Sequence, residues 1–478
     1  MKNPPRGVFP GSLLRRDMAT ISENDIELLD RWDIPGPRYT SYPTALCFHD
    51  GFRETEYRAE VAQRRTEAGN EPLSLYVHLP FCEKLCFFCG CNKWVTLNRE
   101  KIDRYVDDLL LEIAMEREIH GPRPVEQLHW GGGTPTWLDA EQRMRVMDAL
   151  KAAFPFLPDG ESEISIEADP RNLPEGTVTG LRELGFNRLS LGVQDFDLAV
   201  QEAVNRVQPA ELSLRAIDEA RAAGFHGVSV DLIYGLPKQT EASFRRTVEG
   251  VAQAAPDRIS IFSYFHRPQM FSPQKCIEEG DLPTPEVKRM LFAAAVDVLT
   301  SHGYTALGMD HFVREGDDLL EAARAGTMHR NFQGYSTRAD RDLVALGVTA
   351  IGRTDGAFWQ KSKDLKEWAE SVRAGRLPIA RGLQLTDEDK LRREIIASVM
   401  CRLELVFDDF ADRVPNFPKR FEKELALLKP MVDDKLLEID EKGLRVKPLG
   451  RFVVKIIAGA FDEHTPPGLA KISGRQAT

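Results

Sequence analysis

No apolar run in this sequence reaches the roughly 18 residues that a bilayer-spanning helix needs, so a membrane-embedded class is not expected. The opening stretch MKNPPRGVFPGSLLRRDMAT lacks a continuous hydrophobic h-region, and secretion is not expected either. Positive charge is not in excess. Lys and Arg number 63 against 74 Asp and Glu, and the net charge of -11 disfavours a nucleic-acid partner. Cysteine is scarce and odd in number, seven in 478 residues. In a long chain with no signal peptide that pattern favours reduced thiols over disulfides, with metal ligation wherever thiols cluster. These absences together point to the cytoplasm. No nucleophilic triad is evident, and no repeat appears beyond a strand–helix alternation.

That alternation is what the chain does contain. At roughly 100–200 residues per domain, the length predicts two or three folded units. From about residue 72 the strands LSLYVHL, VEQLHW, SEISIEADP, RLSLGVQ, GVSVDLIYGLP, RISIFSY and YTALGM alternate with amphipathic helices, REKIDRYVDDLLLEIAMEREI among them. Such repetition predicts an α/β fold with a parallel sheet, open or curled into a full or partial barrel, whose chemistry gathers at the carboxyl ends of the strands. Further on, DEDKLRREIIASVMCRLEL and FPKRFEKELALLKPMVDDK read as two helices. LLEIDEKGLRVKPLGRFVVKIIAGAF then reads as strand, turn, strand and helix, a winged-helix pattern. Its turn is acidic, so a packing or lid module is expected rather than a DNA reader. The ends, before about Ile21 and after TPPG, are expected to be loose.

Four of the seven cysteines fall within ten positions of YVHLPFCEKLCFFCGCNKWVT (76–96). Cys82, Cys86 and Cys89 form C-x3-C-x2-C on a loop directly after a strand, with Cys91 two residues beyond. A structural zinc wants four ligands, usually from two separated pairs, whereas iron–sulfur clusters are held by closely spaced thiolates. The spacing therefore favours an iron–sulfur cluster over zinc or inert thiols, with three ligands leaving one iron open.

The C-x3-C-x2-C loop, followed by the strand-terminal GGGTPT, resembles the radical S-adenosylmethionine (SAM) enzymes. YVHLPFCEKLCFFCGCNK narrows the resemblance to the oxygen-independent coproporphyrinogen III oxidases, as do GPRYTSYPTA (36–45), RLSLGVQDF (188–196), DLIYGLPKQT (231–240), MDHF (309–312) and RNFQGYST (330–337). It covers nearly the whole chain from about residue 21. The implied fold is a partial (β/α)6 radical-SAM barrel at 53–385, an N-terminal arm at 1–52, and a mainly helical, winged-helix-like domain at 386–478.

The resemblance implies a 4Fe–4S cluster held by Cys82, Cys86 and Cys89 and completed by an exchangeable SAM. It implies that Tyr76, Phe88, Gly132 and Ile351 contact that first SAM, and that Glu167 is a ribose-binding carboxylate. Gly133, Thr134, Gln194, Arg206 and Asp231 match positions holding a second SAM, with Phe265 beside it, giving two SAM per chain. The implied reaction turns two propionates of coproporphyrinogen III into vinyls. A 5′-deoxyadenosyl radical takes a hydrogen from each propionate β-carbon, and the substrate radical then loses one electron and carbon dioxide. Cys91 is expected to act in turnover rather than as a ligand. A donor such as flavodoxin or ferredoxin and a monomeric enzyme are expected. Substrate carboxylates call for cations, and Arg38, Lys93, Arg267 and Arg330 are candidates.

Two stretches depart from the family pattern. SYFHRPQM places Phe265 where a small residue is expected, and AIGRTDGAFWQ (350–360) replaces a segment of different character. The alternatives are a haem-binding chaperone of the same superfamily or a radical enzyme that otherwise modifies porphyrins. Such relatives generally lack a counterpart of Cys91; the chaperones also typically lack the RYTSYPT and RNFQGY segments. A zinc-stabilised interaction protein would be excluded by iron and sulfide analysis.

Overall fold

LSLYVHL forms strand β1 (Leu73–Leu79), buried on both faces as a central parallel strand must be. The computed structural model describes residues 21–32, 36–338 and 341–464, so both expected loose ends lie outside the described residues or at their margin. The chain divides into two units. One holds 48–295 and 340–385; the other holds 1–47, 296–339 and 386–478. Residues 296–339 group with the terminal segments rather than with the strand–helix repeats.

In the larger unit β1 is followed by β2 (Val125–Gly132), β3 (Glu163–Ala168), β4 (Arg188–Gln194), β5 (Gly227–Tyr234) and β6 (Arg258–Ser263). These six lie side by side in chain order, all parallel. That is the order of the (β/α)6 partial barrel. The intervening helices start where caps satisfy their first free N–H groups. Asn98 accepts from Lys101 N ahead of α1 (Arg99–His120), and Asp139 and Thr240 close capping boxes ahead of α2 (Ala140–Ala153) and α3 (Glu241–Ala254). On the other side of β1 runs a flank that the periodicity does not reveal. A parallel β7 (Asp342–Leu346) is followed by antiparallel β8 (Ile351–Arg353), β9 (Ala357–Lys361) and β10 (Ile379–Gln384).

In the second unit YTALGM forms the strand Tyr304–Gly308, paired antiparallel with His311–Arg314 rather than continuing the parallel series. The C-terminal segment has the helix Asp387–Arg402 and a three-stranded sheet of Glu404–Val406, Gly443–Val446 and Leu437–Ile439, then a last helix Val454–Gly459. The strand–turn–strand–helix pattern is present. FPKRFEKELALLKPMVDDK is not one helix but three short ones, Phe417–Arg420, Glu422–Leu427 and Lys429–Asp433. Pro430 offers no N–H to continue a helix and sits at the start of the third. Phe417 instead stacks on Phe407 and meets Phe421 at a tilt, both at 4.6 Å, in an aromatic core with Phe410 and Phe461.

Among the described residues no helix is long and apolar enough to cross a membrane.

Candidate functional site

The cysteine loop leaves the carboxyl end of β1 and is tied down by backbone bonds on both sides. Phe81–Cys82 pair in parallel with Trp94–Val95, so the loop closes on itself. Phe87 N donates to Val204 O at 3.0 Å, and Asn205 Nδ2 donates to Leu85 O at 2.7 Å. The glycine turn ending β2 packs beneath: Gly133 N donates to Leu79 O and Thr134 N to Phe81 O, both at 2.9 Å. A Cβ on Gly133 would lie 2.7 Å from the Pro80 carbonyl carbon, and Gly132 adopts φ +119° with the His78 ring 2.7 Å from where its Cβ would be. Side chains at these two positions would push the turn off the loop.

Cys82 and Cys86 are buried, Cys89 is half-buried and Cys91 is exposed. Hydrogen-bond donors surround the first two sulfurs. Thr134 Oγ1 lies 3.5 Å from Cys82 Sγ; Arg206 Nη1 and Arg171 Nη2 lie 3.3 and 3.4 Å from Cys86 Sγ. Burial pushes the Cys82 thiol up to about 11, against the Thr134 hydrogen bond. The Cys91 hydrogen bond, with help from Lys93, brings Cys89 down to about 6 against its burial, while that same bond pushes Cys91 upward. Cys89 is thus the better thiolate of the two.

The donor set fits a multi-iron cluster rather than a single ion. Zn–S bonds of roughly 2.3 Å hold tetrahedral thiolates about 3.8 Å apart. Among the described residues the three-donor group within 4.8 Å is Asp389, Glu463 and His464; the three cysteines do not converge that closely. Hydrogen bonds to the sulfurs are the feature that tunes an iron–sulfur cluster.

Around the loop the strand ends bring together most of the residues singled out in the sequence. Glu167, ending β3, accepts from Gly132 N and His129 Nε2, both at 3.2 Å. Burial works to raise its pKa, but those hydrogen bonds and the His129 charge outweigh it and hold the carboxyl below its usual range. Its side chain keeps 46 % of its surface exposed, free to meet a ligand as an anion. Tyr76 stacks on His129 at 6.0 Å, and its hydroxyl lies 3.0 Å from His78 Nδ1. His78 Nε2 lies 3.0 Å from Asn92 O, which can only accept, so Nε2 carries the proton and Nδ1 accepts from Tyr76. Burial lowers the His78 pKa, in keeping with a neutral ring.

Arg206 is buried and engaged: Nη1 bonds Asp169 at 2.9 Å and Nη2 bonds Gly192 O at 2.6 Å. Its Nε, like Gln194 Oε1, is buried without a partner. Gln194 sits at φ +69° where β4 ends, a conformation that tertiary structure must impose on a glutamine. Two unsatisfied polar atoms beside one strand end are what a polar ligand would complete. Asp231 lies on β5 opposite Gly192, with Ser190 Oγ 3.5 Å from its carboxylate. Phe88 packs beside the buried cluster of Val200, Val204, Leu236, Tyr264 and Ile277.

Ile351 opens β8, two strands from β1, and pairs with Gln360. Phe265 is half exposed beyond the end of β6, with the Arg267 guanidinium 4.4 Å above its ring. Lys93 bonds Cys89 O at 3.2 Å, so its charge faces the loop. The sequence reading missed Asp169, Arg171, His78 and His129. Asp169 accepts from both Arg171 and Arg206, whose charges hold its pKa down against the burial that would raise it. Its position just after a strand, in EADP, was the available signal.

Comparison with known proteins agrees with this arrangement. The Radical SAM superfamily model matches residues 76–251 and the HemN C-terminal domain model matches 385–453. The oxygen-independent coproporphyrinogen III oxidase of Escherichia coli is 44% identical over 441 residues, covering 92% of this chain and 95% of that protein. Its counterpart in Pseudomonas aeruginosa is 42% identical over 444 residues, with 92% and 96% covered. The solved structure of coproporphyrinogen III oxidase from Escherichia coli, described as a radical SAM enzyme, superposes with a TM-score of 0.86 at 43% identity, covering 90% of this chain and 100% of that one. With the cysteine loop, the glycine turn and the strand-end carboxylate in one place, the chain belongs to the oxygen-independent coproporphyrinogen III oxidases of the radical SAM superfamily.

Proposed function

We propose that this chain is an oxidoreductase that converts two propionates of coproporphyrinogen III to vinyls without oxygen, giving protoporphyrinogen IX for porphyrin and haem biosynthesis. The observation that carries this reading is the three-cysteine loop at the end of β1, ringed by donors to its sulfurs, in a chain alike to coproporphyrinogen III oxidases over nearly their full length. A carrier or chaperone role is disfavoured by the same kinship.

When bound, a 4Fe–4S cluster and SAM supply one-electron cleavage of the sulfonium and the radical that takes hydrogen from the substrate. Cys82, Cys86 and Cys89 would hold three irons. Glu167, kept anionic by His129 and Gly132 N, would accept from ribose hydroxyls, and Tyr76, Phe88, Gly132 and Ile351 would complete the first SAM contact. Asp231 would accept from the ammonium of a second SAM, and Arg206 and Gln194 offer Nε and Oε1 beside it, with Gly133, Thr134 and Phe265 as further contacts. Cys91, exposed and outside the ligand set, would serve turnover. The electron would come from a small redox protein such as flavodoxin or ferredoxin, and the enzyme would work as a monomer in the cytoplasm.

Anaerobic incubation of the reconstituted protein with coproporphyrinogen III, SAM, a reductant and an electron acceptor is expected to yield protoporphyrinogen IX. No product from a protein carrying a full cluster would defeat the reading. Equilibrium binding is expected to give two SAM per chain in the wild type and one in Asp231→Ala, with decarboxylation lost in the variant. One SAM in the wild type, with normal turnover, would show that Phe265 closes the second position.

A further inference from the structure

The second unit contains a polar cluster that the SAM-binding residues do not use. It draws on three separate stretches of the chain. Arg38 Nη2 lies 2.8 Å from Asp310 Oδ1, and His311 Nδ1 lies 2.8 Å from the same oxygen. Arg330, on the hairpin of His329–Asn331 and Gly334–Ser336, donates from Nε to Arg38 O at 3.0 Å, and its guanidinium stands 4.5 Å above the Tyr335 ring. The Tyr335 hydroxyl donates to Met400 O at 3.1 Å, which fixes the ring under the guanidinium.

Burial would raise the Asp310 pKa, but Arg38 and His311 hold it far below the usual carboxylate range, so Asp310 is an anion. Arg330 Nη1 is buried with no hydrogen-bond partner, and so are Gln333 Nε2 and Thr337 Oγ1 on the same hairpin segment. A buried donor without an acceptor is costly, and most so when it carries charge. Arg330 Nη1 can only donate, so the group it lacks is an acceptor. Opposite a guanidinium with one edge already used, a carboxylate is the fitting acceptor.

We propose that this cluster is a carboxylate subsite in which Arg330, backed by Arg38, holds one propionate of the tetrapyrrole. The assignment of the carboxylate to a tetrapyrrole rests on the proposed function. Arg330 acts here in substrate binding, apart from cluster assembly and SAM cleavage.

The test uses full-length reconstituted protein and two non-reacting probes, coproporphyrin III and its tetra-amide, which keeps the ring and removes the charges. Wild type is expected to bind the acid more tightly than the amide. Arg330→Gln is expected to bind the acid roughly ten- to a hundredfold more weakly, to bind the amide as before, and to keep iron content and substrate-free SAM cleavage. Arg330→Lys, which retains charge without the planar fork, is expected to fall between, and it decides the matter if the glutamine variant does not fold. Undiminished acid-over-amide preference in a folded variant would overturn the subsite. Displacement of coproporphyrin by inorganic phosphate at equal concentration would show a general anion site and overturn the propionate assignment. A wild type that binds coproporphyrin and its amide equally, and shows no turnover, would instead defeat the proposed function.

Discussion

Two polar regions of the barrel unit treat charge in opposite ways. Beneath β1, Lys361 Nζ lies between Glu112 Oε1 at 2.7 Å and Glu116 Oε1 at 2.6 Å, all three side chains fully buried. The remaining oxygens are also used: Glu112 Oε2 accepts from Gly347 N and Glu116 Oε2 from the Tyr57 hydroxyl, while Trp368 Nε1 shares Glu112 Oε1 with the lysine. At the carboxyl ends of the strands, by contrast, Gln194 Oε1 and Arg206 Nε stay unpartnered, and Glu167 keeps nearly half its surface exposed. In the first region the lysine and both carboxylates find partners without a ligand, although the neighbouring His120 Nδ1 is buried and unbonded. The second is unfinished and needs a ligand to complete it. Saturation of hydrogen bonds, more than burial or charge, separates the structural network from the site.

The largest expected effect breaks the unfinished region. Serine in place of Cys82, Cys86 or Cys89 is expected to abolish bound iron and all turnover, whereas Cys91→Ser keeps the iron and loses most turnover. Iron and sulfide analysis beside product formation checks this. A Cys91→Ser protein without a cluster would move Cys91 into the ligand set.

Next in size is the finished region. Lys361→Met leaves two buried carboxylates facing each other and is expected to destabilise the fold by about 3–5 kcal/mol, read as a lower urea midpoint. Burial would lower the Lys361 pKa, but Glu112 and Glu116 raise it above the usual lysine range. The contribution is therefore intact below the ordinary lysine pKa and fades only in strong alkali. Adding Glu112→Gln and Glu116→Gln to Lys361→Met is expected to restore much of the loss. No recovery in the triple variant would mean that the loss does not come from the two carboxylates left without their cation.

This contrast also explains what could be read from the chain before its structure. Cys82, Cys86, Cys89, the glycine turn and the six parallel strands are local: each signal lies within a few residues, and chain order equals strand order. The Lys361 network joins residues about 250 positions apart, and nothing near Glu112 or Glu116 distinguishes them from solvated helix charges. The β7–β10 flank escaped notice because its strands are short and antiparallel, without the helix spacing that marked the others. Arg206 was identified as a SAM contact by resemblance, but its bonds to Cys86 and Asp169 depend on a fold that brings 86, 169 and 206 together. The split of the long C-terminal helix was legible in Pro430 and was passed over for its hydrophobic pattern.

The smallest expected effect concerns a group that lies between the two regions in character. Asp195, just past the end of β4, is buried and accepts from Gln239 Nε2 at 2.6 Å, Thr247 Oγ1 at 2.9 Å and Asp197 N at 2.7 Å. These donors are neutral. They do not offset the desolvation that pushes the carboxyl up to about 6. A folded pKa above the unfolded one means that the native state binds more protons between the two values, so stability falls as pH rises from about 4 to about 6. The full swing is roughly 2–3 kcal/mol. Asp195→Asn keeps the size and one acceptor oxygen but cannot titrate. Relative to wild type, the variant is expected to gain most of that amount as pH is raised across the window, measured as the difference between the two urea midpoints at pH 3.5 and pH 7. A constant difference would show that the three neutral donors hold the Asp195 anion in spite of its burial, and that saturation with hydrogen bonds suffices without a matching charge.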